Sequence, residues 1–527
     1  MKIDDKLNNL KNEIPNMNPN LDEIIIDKHE KSKNKPKISW AKRMIVLASP
    51  MFLLLLVIGG ILMLKPNGGN VFNPTTSTTP GASTVTNPTT STTAGAATVT
   101  NPTTPNSSPI STLETPTISK PLDYIYNSAL VMKKQDKASA TGVIYEEGFK
   151  NFCKKLADFG LRLSELYYKN NIASSFSVSP ISITNLLGLT IECSNNETKD
   201  EILNAIGVSY SEVLTYYPEL QRYINKEIIS DGVVTTRYES NNSIWYDDDV
   251  VLNENTLKSL SENYYCDNFQ IDFSKNPTLA SNDINHYISE KTYGLIKPNL
   301  NFSNDTIMCL LNTIYVEEIW TTSGAISSSQ REFTNRDNTK TTTNFLFRGY
   351  VNSTIGDSDK MEFFYANTNS NFRLYFMLPK EDYSVDDIYN YESIRYMLDY
   401  DSYKLYDNEL REKYLSAVRF PSFDVSMTSS ITRELKQIGI NSIFSNSADF
   451  TNITNSKCYA SSILHESRFI VDEKGIKGAA YSVEPAPGAN LEEYTIIKRI
   501  LEINKPFGYV LIDENGSIVF TGVINKL

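Results

Sequence analysis

The chain has 527 residues, with 50 Lys and Arg against 62 Asp and Glu, which gives a net charge of −12. This acidic balance argues against a nucleic-acid-binding protein, because neutralising phosphates requires clustered Lys and Arg. Only three histidines are present, so a His-rich metal site and a multi-histidine proton relay are excluded by count. The five cysteines include no C-x-x-C pair. We therefore expect buried thiols rather than a disulfide framework.

The N-terminal region contains a polar stretch followed by a long apolar one. Residues 44–64 carry no charge over 21 positions, and as a helix they would reach about 31 Å, enough to cross a hydrocarbon core. Six basic residues precede this run between positions 31 and 43, whereas Lys65 alone follows closely. The positive-inside rule then predicts a cytoplasmic tail over 1–43, a transmembrane helix over 44–64 acting as an uncleaved signal-anchor, and an extracellular remainder. A cleaved secretory signal is the alternative, and the length of the run disfavours it.

Residues 65–120 are rich in Thr and Pro and contain a 14-residue repeat that starts at Asn73 and again at Asn87. Such a segment has too few large apolar side chains to offset the entropy of ordering. It predicts a disordered extracellular stalk.

The folded domain is predicted over 121–527, with its core starting at about residue 148. An apolar stripe that begins at Phe152 and recurs at helical spacing predicts an amphipathic helix. Near the C-terminus, Asn515–Gly516 lies between two β-rich runs and predicts a hairpin. Because helical and strand patterns alternate without a repeating βαβ order, we expect an α+β fold. The Gly- and Ala-rich stretch 473–507 is interpreted as a long exposed loop, or as a segment narrow enough to slip between neighbouring strands.

Seven segments in chain order resemble conserved blocks of the serpin family of serine protease inhibitors. They are FSVSPISI (176–183), INHYISEKTYGLIKPNL (284–300), LLNTIYVEEIW (310–320), MLPKE (377–381), VRFPSFDVSMTSSITRELKQIGINSIFSNSADFTNIT (418–454), HESRFIVDEKGIKGAA (465–480) and NKPFGYVLIDENGSIVFTGVI (504–524). The resemblance implies the serpin fold, with three β-sheets and eight or nine helices. It also implies that a protease cleaves an exposed reactive-centre loop, which then inserts into the main sheet and traps the acyl-enzyme.

The resemblance also assigns two groups of residues. The hinge, from which the loop would move, is Glu473, Lys474, Gly475, Ile476, Lys477, Gly478, Ala479 and Ala480. The shutter cluster, hydrogen-bonded between sheet and helix, is Ser179, Ser182, Asn312 and His465. The implied function needs no cofactor and no metal.

The reactive bond is assigned only to a window. Counting the family spacing forward from Glu473 gives Ala489–Asn490, whereas counting back from Pro506 gives Thr495. The expected partner is a serine protease. Small or aromatic residues in the window favour an elastase-, subtilisin- or chymotrypsin-like enzyme, and a cysteine protease is left open.

Two other functions remain in competition with an extracellular, membrane-anchored inhibitor. Glu484, Pro485 and Pro487 would hinder full insertion of the loop, which favours a non-inhibitory serpin acting as a surface binding module. An extracellular hydrolase would need His286 or His465 as its base. We expect His286 to lie on a helix in a surface or packing role, and His465 to lie on a strand, hydrogen-bonded inside the core.

Overall fold

The computed structural model describes residues 53–64, 124–136, 138–230, 233–320, 326–352, 355–404, 414–472 and 497–527. The described part contains nine α-helices and three β-sheets, which confirms the predicted fold class. The helices are α1 (Glu147–Asn170), α2 (Pro180–Cys193), α3 (Asn196–Ile206), α4 (Tyr210–Ile224), α5 (Glu254–Asn263), α6 (Pro277–Lys291), α7 (Val385–Ile388), α8 (Tyr391–Lys404) and α9 (Thr432–Gln437).

The strands are β1 (Leu53–Leu64), β2 (Ala129–Met132), β3 (Phe176–Val178), β4 (Lys226–Ser230), β5 (Val233–Asp247), β6 (Cys266–Ile271), β7 (Thr306–Glu318), β8 (Ile326–Thr334), β9 (Lys340–Asn352), β10 (Gly356–Asp357), β11 (Met361–Asn367), β12 (Arg373–Pro379), β13 (Tyr414–Pro421), β14 (Phe423–Ser430), β15 (Tyr459–Val471), β16 (Ile497–Glu502), β17 (Phe507–Ile512) and β18 (Ile518–Ile524).

The central sheet has eight strands in the order β14-β15-β1-β7-β5-β6-β2, with β4 paired to β5. A six-stranded sheet has the order β10-β11-β12-β17-β18-β3, and a four-stranded sheet has the order β16-β13-β9-β8. Every residue of β7 is buried. Its side chains alternate between two apolar clusters, one that includes α2 and one that includes α6. Helices therefore cover the middle of the central sheet on both faces.

Two elements predicted from local pattern are confirmed. The apolar stripe that begins at Phe152 is the buried face of α1, as its helical spacing indicates. The turn between β17 and β18 holds Gly516 at φ +79°, a backbone conformation that glycine adopts without steric cost. α1 also lies unusually close to α2, because a Cβ at Gly160 would lie 2.2 Å from the Cβ of Pro180.

The apolar N-terminal run differs from its prediction. Leu53–Leu64 forms β1, a strand between β15 and β7, rather than part of a transmembrane helix. Residues 44–52 lie outside the described part of the chain. A continuous apolar run also occurs in a strand in the interior of a sheet, and the neighbouring strands supply partners for its backbone hydrogen bonds. Within the described residues, we find no helix that combines the length and the apolar composition needed to cross a membrane.

Candidate functional site

The shutter residues all lie in the buried layer between the central sheet and the start of α2. Ser179 precedes the helix as its N-cap, and its Oγ accepts a hydrogen bond from the backbone N–H of Ser182 at 3.4 Å. Asn312 lies in the middle of β7, and His465 lies in β15. All four side chains are buried. The structure therefore brings together the four residues that the resemblance grouped.

Asn312 is the centre of a polar network inside the core. Its Oδ1 accepts a hydrogen bond from the Ser182 hydroxyl at 2.6 Å. Its Nδ2 donates to Ser240 Oγ at 2.9 Å and to Asn242 Oδ1 at 2.8 Å. The network continues to Gln221, whose Oε1 accepts from Asn242 Nδ2. Because buried polar groups are costly unless paired, this network favours one alignment of β5, β7 and α2.

Sequence reasoning missed the β5 members of this network, Ser240 and Asn242. The signal that could have identified them is the polar run Glu239–Ser243, which interrupts a strand otherwise rich in β-branched and aromatic residues.

His465 contacts a different partner from Asn312. Its Nε2 accepts a hydrogen bond from the backbone N–H of Ser179 at 3.2 Å, so the strand histidine is hydrogen-bonded in the core as predicted. Burial lowers the pKa of His465 to about 3, which keeps the ring neutral at neutral pH. β1 lies between the strands that carry Asn312 and His465, and Gly59 is in register with both residues.

A second group of contacting residues, formed by Trp320, Phe420 and Asp472, lies where β7 and β15 end. The indole N–H of the buried Trp320 donates to the backbone carbonyl of Asp472 at 3.5 Å, and its ring packs against Phe420. Asp472 is the last described residue before the assigned hinge. The residue that immediately precedes the assigned hinge is therefore hydrogen-bonded to an aromatic side chain of the core.

Glu318, the last residue of β7, is 1% exposed. The backbone N–H of Ser370 donates to its Oε2 at 3.2 Å. Burial raises the pKa of Glu318 from 4.5 to about 7, although the hydroxyls and the amide around it oppose the shift. The folded protein therefore retains a proton on this group at a pH where the unfolded chain has released it.

This raised pKa predicts that the free energy of unfolding decreases as the pH rises from about 4.5 to about 7. A shift of this size corresponds to about 3 kcal/mol. We expect Glu318→Gln to reduce the decrease in stability between pH 5 and pH 8, whereas Glu381→Gln, at an exposed position, leaves it unchanged. The measurement is the urea midpoint at both pH values. An unchanged pH dependence in Glu318→Gln would contradict the assignment.

The assigned hinge (473–480), the residues Glu484, Pro485 and Pro487, and the reactive-bond window with Ala489, Asn490 and Thr495 lie outside the described residues. The ends of this 24-residue gap are described. The segment leaves the central sheet after Val471 and rejoins the fold at Ile497, where β16 pairs in parallel with β13. From the sequence, 473–507 is interpreted as one long loop. That interpretation extends too far at its C-terminal end, because 497–502 forms β16.

The other candidate residues have structural surroundings. His286 lies on α6, as predicted, with its ring stacked on Tyr124 at 3.8 Å between centroids. All five cysteines are buried and free, which confirms the interpretation as buried thiols. Among the described residues, Asp247, Asp248 and Asp249 lie close enough together to ligate a cation, but Asp247 already accepts from the backbone N–H of Ser274.

Comparison with known proteins agrees with this architecture. The chain is 24% identical over 375 residues to Antitrypsin from Bombyx mori, covering 69% of this chain and 92% of that protein. It is 25% identical over 389 residues to Iripin-1 from Ixodes ricinus, covering 70% and 93%. The crystal structure of the thermophilic serpin tengpin in its native state matches with a TM-score of 0.59 at 21% identity, over 76% of this chain and all of that one.

Human glycosylated kallistatin matches with a TM-score of 0.60 at 19% identity, over 72% of this chain and 99% of that chain. The profile of the Serpin (serine protease inhibitor) family matches residues 154–527. This match covers more than half of the sequence and contains the shutter cluster and the whole assigned loop, and the chain therefore belongs to the serpin family.

Proposed function

We propose that this protein inhibits a serine protease through cleavage and insertion of the loop between Asp472 and Ile497. One observation carries the proposal: β7 and β15 are not paired to each other but stand one strand apart, with β1 between them, directly beside the point where the loop leaves β15. A strand added there gains hydrogen bonds to both neighbours. On the shutter side of this position the β15 side chains are buried beneath α2, so insertion would also bury the loop side chains that face α2.

We further propose that the inhibitor is membrane-anchored, with the N-terminus in the cytoplasm and the serpin domain outside the cell. The support is the uncharged run 44–64 and the excess of basic residues before it. The repeat-containing segment 65–120 would then act as a spacer between the bilayer and the folded domain.

A non-inhibitory serpin acting as a surface binding module is the second candidate. Glu484 would be turned toward the core late in insertion, and Pro485 and Pro487 each lack a backbone donor. A similar solved structure, thyroxine-binding globulin in complex with thyroxine, matches at 19% identity and is an example of a small-molecule complex of this fold.

The distinguishing experiment incubates the full chain, reconstituted in phosphatidylcholine vesicles, with pancreatic elastase, subtilisin or chymotrypsin. We expect a covalent complex that survives a denaturing gel with at least one of the three. Sequencing of the released C-terminal peptide would identify the reactive bond, which we expect within 489–495. Cleavage of the loop without any complex, together with no rise in the melting temperature of the cleaved protein, would instead support the binding module.

A further inference from the structure

The place that an inserted loop would take is occupied by another part of the same chain. β1 is antiparallel to both of its neighbours along its length. Its pairing with β15 extends from Leu55 opposite Phe469 to Leu64 opposite Tyr459. Its pairing with β7 extends from Leu53 opposite Glu318 to Leu64 opposite Thr306. We call this position, between β7 and β15, the slot.

β1 runs in the direction that the cleaved loop must take in the sheet. The loop leaves β15 after Val471, so a loop that folds back beside β15 runs antiparallel to it. β1 also runs antiparallel to β15, and it begins at the end of the sheet where β15 ends. The backbone groups of β7 and β15 that face the slot can pair with one strand only. Occupation by β1 and occupation by the loop therefore exclude each other.

The sequence of β1 fits the slot where the shutter residues Asn312 and His465 lie. Gly59 is in register with Asn312 on one side and with His465 on the other. Cross-strand partners share a face of the sheet, and on that face Asn312 and His465 bond to residues at the start of α2. Glycine brings no side chain into this crowded polar layer. The sequence around it is apolar, as is typical of a strand in the interior of a sheet.

The same segment is the middle of the proposed membrane anchor. The 12 residues of β1 cannot form a strand in the slot and a transmembrane helix at the same time. In water without lipid, the slot pairs the backbone hydrogen-bonding groups of the segment, and in a bilayer an α-helix would pair them internally. The 59 positions between Leu64 and Tyr124 give a tether that, at about 3.3 Å per residue, far exceeds the length of the slot.

We propose that Leu53–Leu64 is a built-in competitor of the reactive-centre loop. When the segment occupies the slot, the loop cannot insert and the protein does not trap a protease. When the segment is embedded in a bilayer, the slot is free and the inhibitor is active. This inference rests on the proposed function and adds to it a coupling between membrane insertion and inhibition.

The test uses the full chain, first in buffer without lipid or detergent and then with phosphatidylcholine vesicles. Without lipid, amide hydrogen exchange followed by mass spectrometry should show residues 53–64 protected by at least about 100-fold. Adding vesicles should move the chain to the floating fraction in a density gradient. It should also raise the yield of covalent complex with the trapped protease by at least about fivefold, since only molecules with a free slot are competent.

Two variants with the same change in composition separate the effect of slot occupation from the effect of membrane binding. Gly59→Leu places a side chain on the shutter face, whereas Gly68→Leu makes the same change outside β1. Both variants keep the segment apolar. Without lipid, Gly59→Leu should lose at least about tenfold of the amide protection over 53–64 and should form more complex than the unmodified protein, whereas Gly68→Leu should match the unmodified protein.

The two proposals fail in different ways. Rapid exchange of residues 53–64 in the unmodified chain without lipid would overturn the competitor, even if the protein traps proteases. An equal yield of complex with and without vesicles, with 53–64 protected, would overturn the coupling. Absence of complex in every variant and condition would overturn the inhibitory function, and the exchange data would still decide whether the segment occupies the slot.

Discussion

Replacing Asn312 by alanine is expected to lower the free energy of unfolding by about 3–5 kcal/mol, a larger loss of stability than we expect from any other single substitution in the shutter cluster. The Ser182 hydroxyl and Asn242 Oδ1 lose their hydrogen-bond partner at once, and Ser240 Oγ keeps only the bond from Asn185 Nδ2. Each buried polar group left unpaired costs about 1–3 kcal/mol. The measurement is the chemical denaturation curve followed by circular dichroism.

The control for this prediction is Asn301→Ala, which removes the same side chain at an exposed position. Ser182→Ala is a milder variant that breaks one hydrogen bond to Asn312 and should cost about 1 kcal/mol. If Asn312→Ala does not fold, Ser182→Ala tests the same network. A loss in Asn312→Ala no larger than the loss in Asn301→Ala would show that the network does not align the sheet with α2.

The largest functional effect is expected from Gly478→Arg in the assigned hinge. If the loop inserts as a strand, positions 476, 478 and 480 share one face because strand side chains alternate, and we expect that face to be buried. Burying an unpaired guanidinium costs several kcal/mol. Insertion should therefore become slower than hydrolysis of the acyl-enzyme. The covalent complex should decrease by more than about tenfold, while the loop is still cleaved.

Ala479→Arg is the matched control, because it introduces the same side chain one position along, on the opposite face of the strand. It should retain most of the complex. Both yields are read from denaturing gels of the vesicle-bound full chain after incubation with the protease. Equal yields for the two variants would contradict insertion of this segment as a strand, and with it the proposed trapping mechanism.

Much of the fold could be predicted because its signals are local or because they match family blocks. The spacing of apolar residues after Phe152 defines α1, and Asn515–Gly516 defines the hairpin of β17 and β18. The shutter residues were found by resemblance, and the structure places all four in one buried layer. Their bonding pattern could not be read from the sequence, because Asn312 and His465 belong to strands separated by more than a hundred residues.

The segment Leu53–Leu64 shows why the remainder could not be predicted. A run of apolar residues has the same appearance whether hydrocarbon or protein surrounds it. The slot that pairs with this segment is formed by β7 and β15, which lie more than two hundred residues further along the chain. Local hydropathy therefore indicates that the segment must be buried, and only the tertiary structure indicates where. The short strand β16 was missed for a related reason, since its pairing with β13 is also non-local.

The contact between Trp320 and Asp472 gives the protein an intrinsic optical reporter. Of its three tryptophans, Trp40, Trp245 and Trp320, Trp245 stacks on Phe269 in the apolar cluster that includes α6, while Trp320 is bonded to the residue that immediately precedes the assigned hinge. Movement of Asp472 away from the Trp320 indole would change the polarity around the ring, and with it the fluorescence emission. Loop departure can therefore be timed in the unlabelled protein, at the site where it begins.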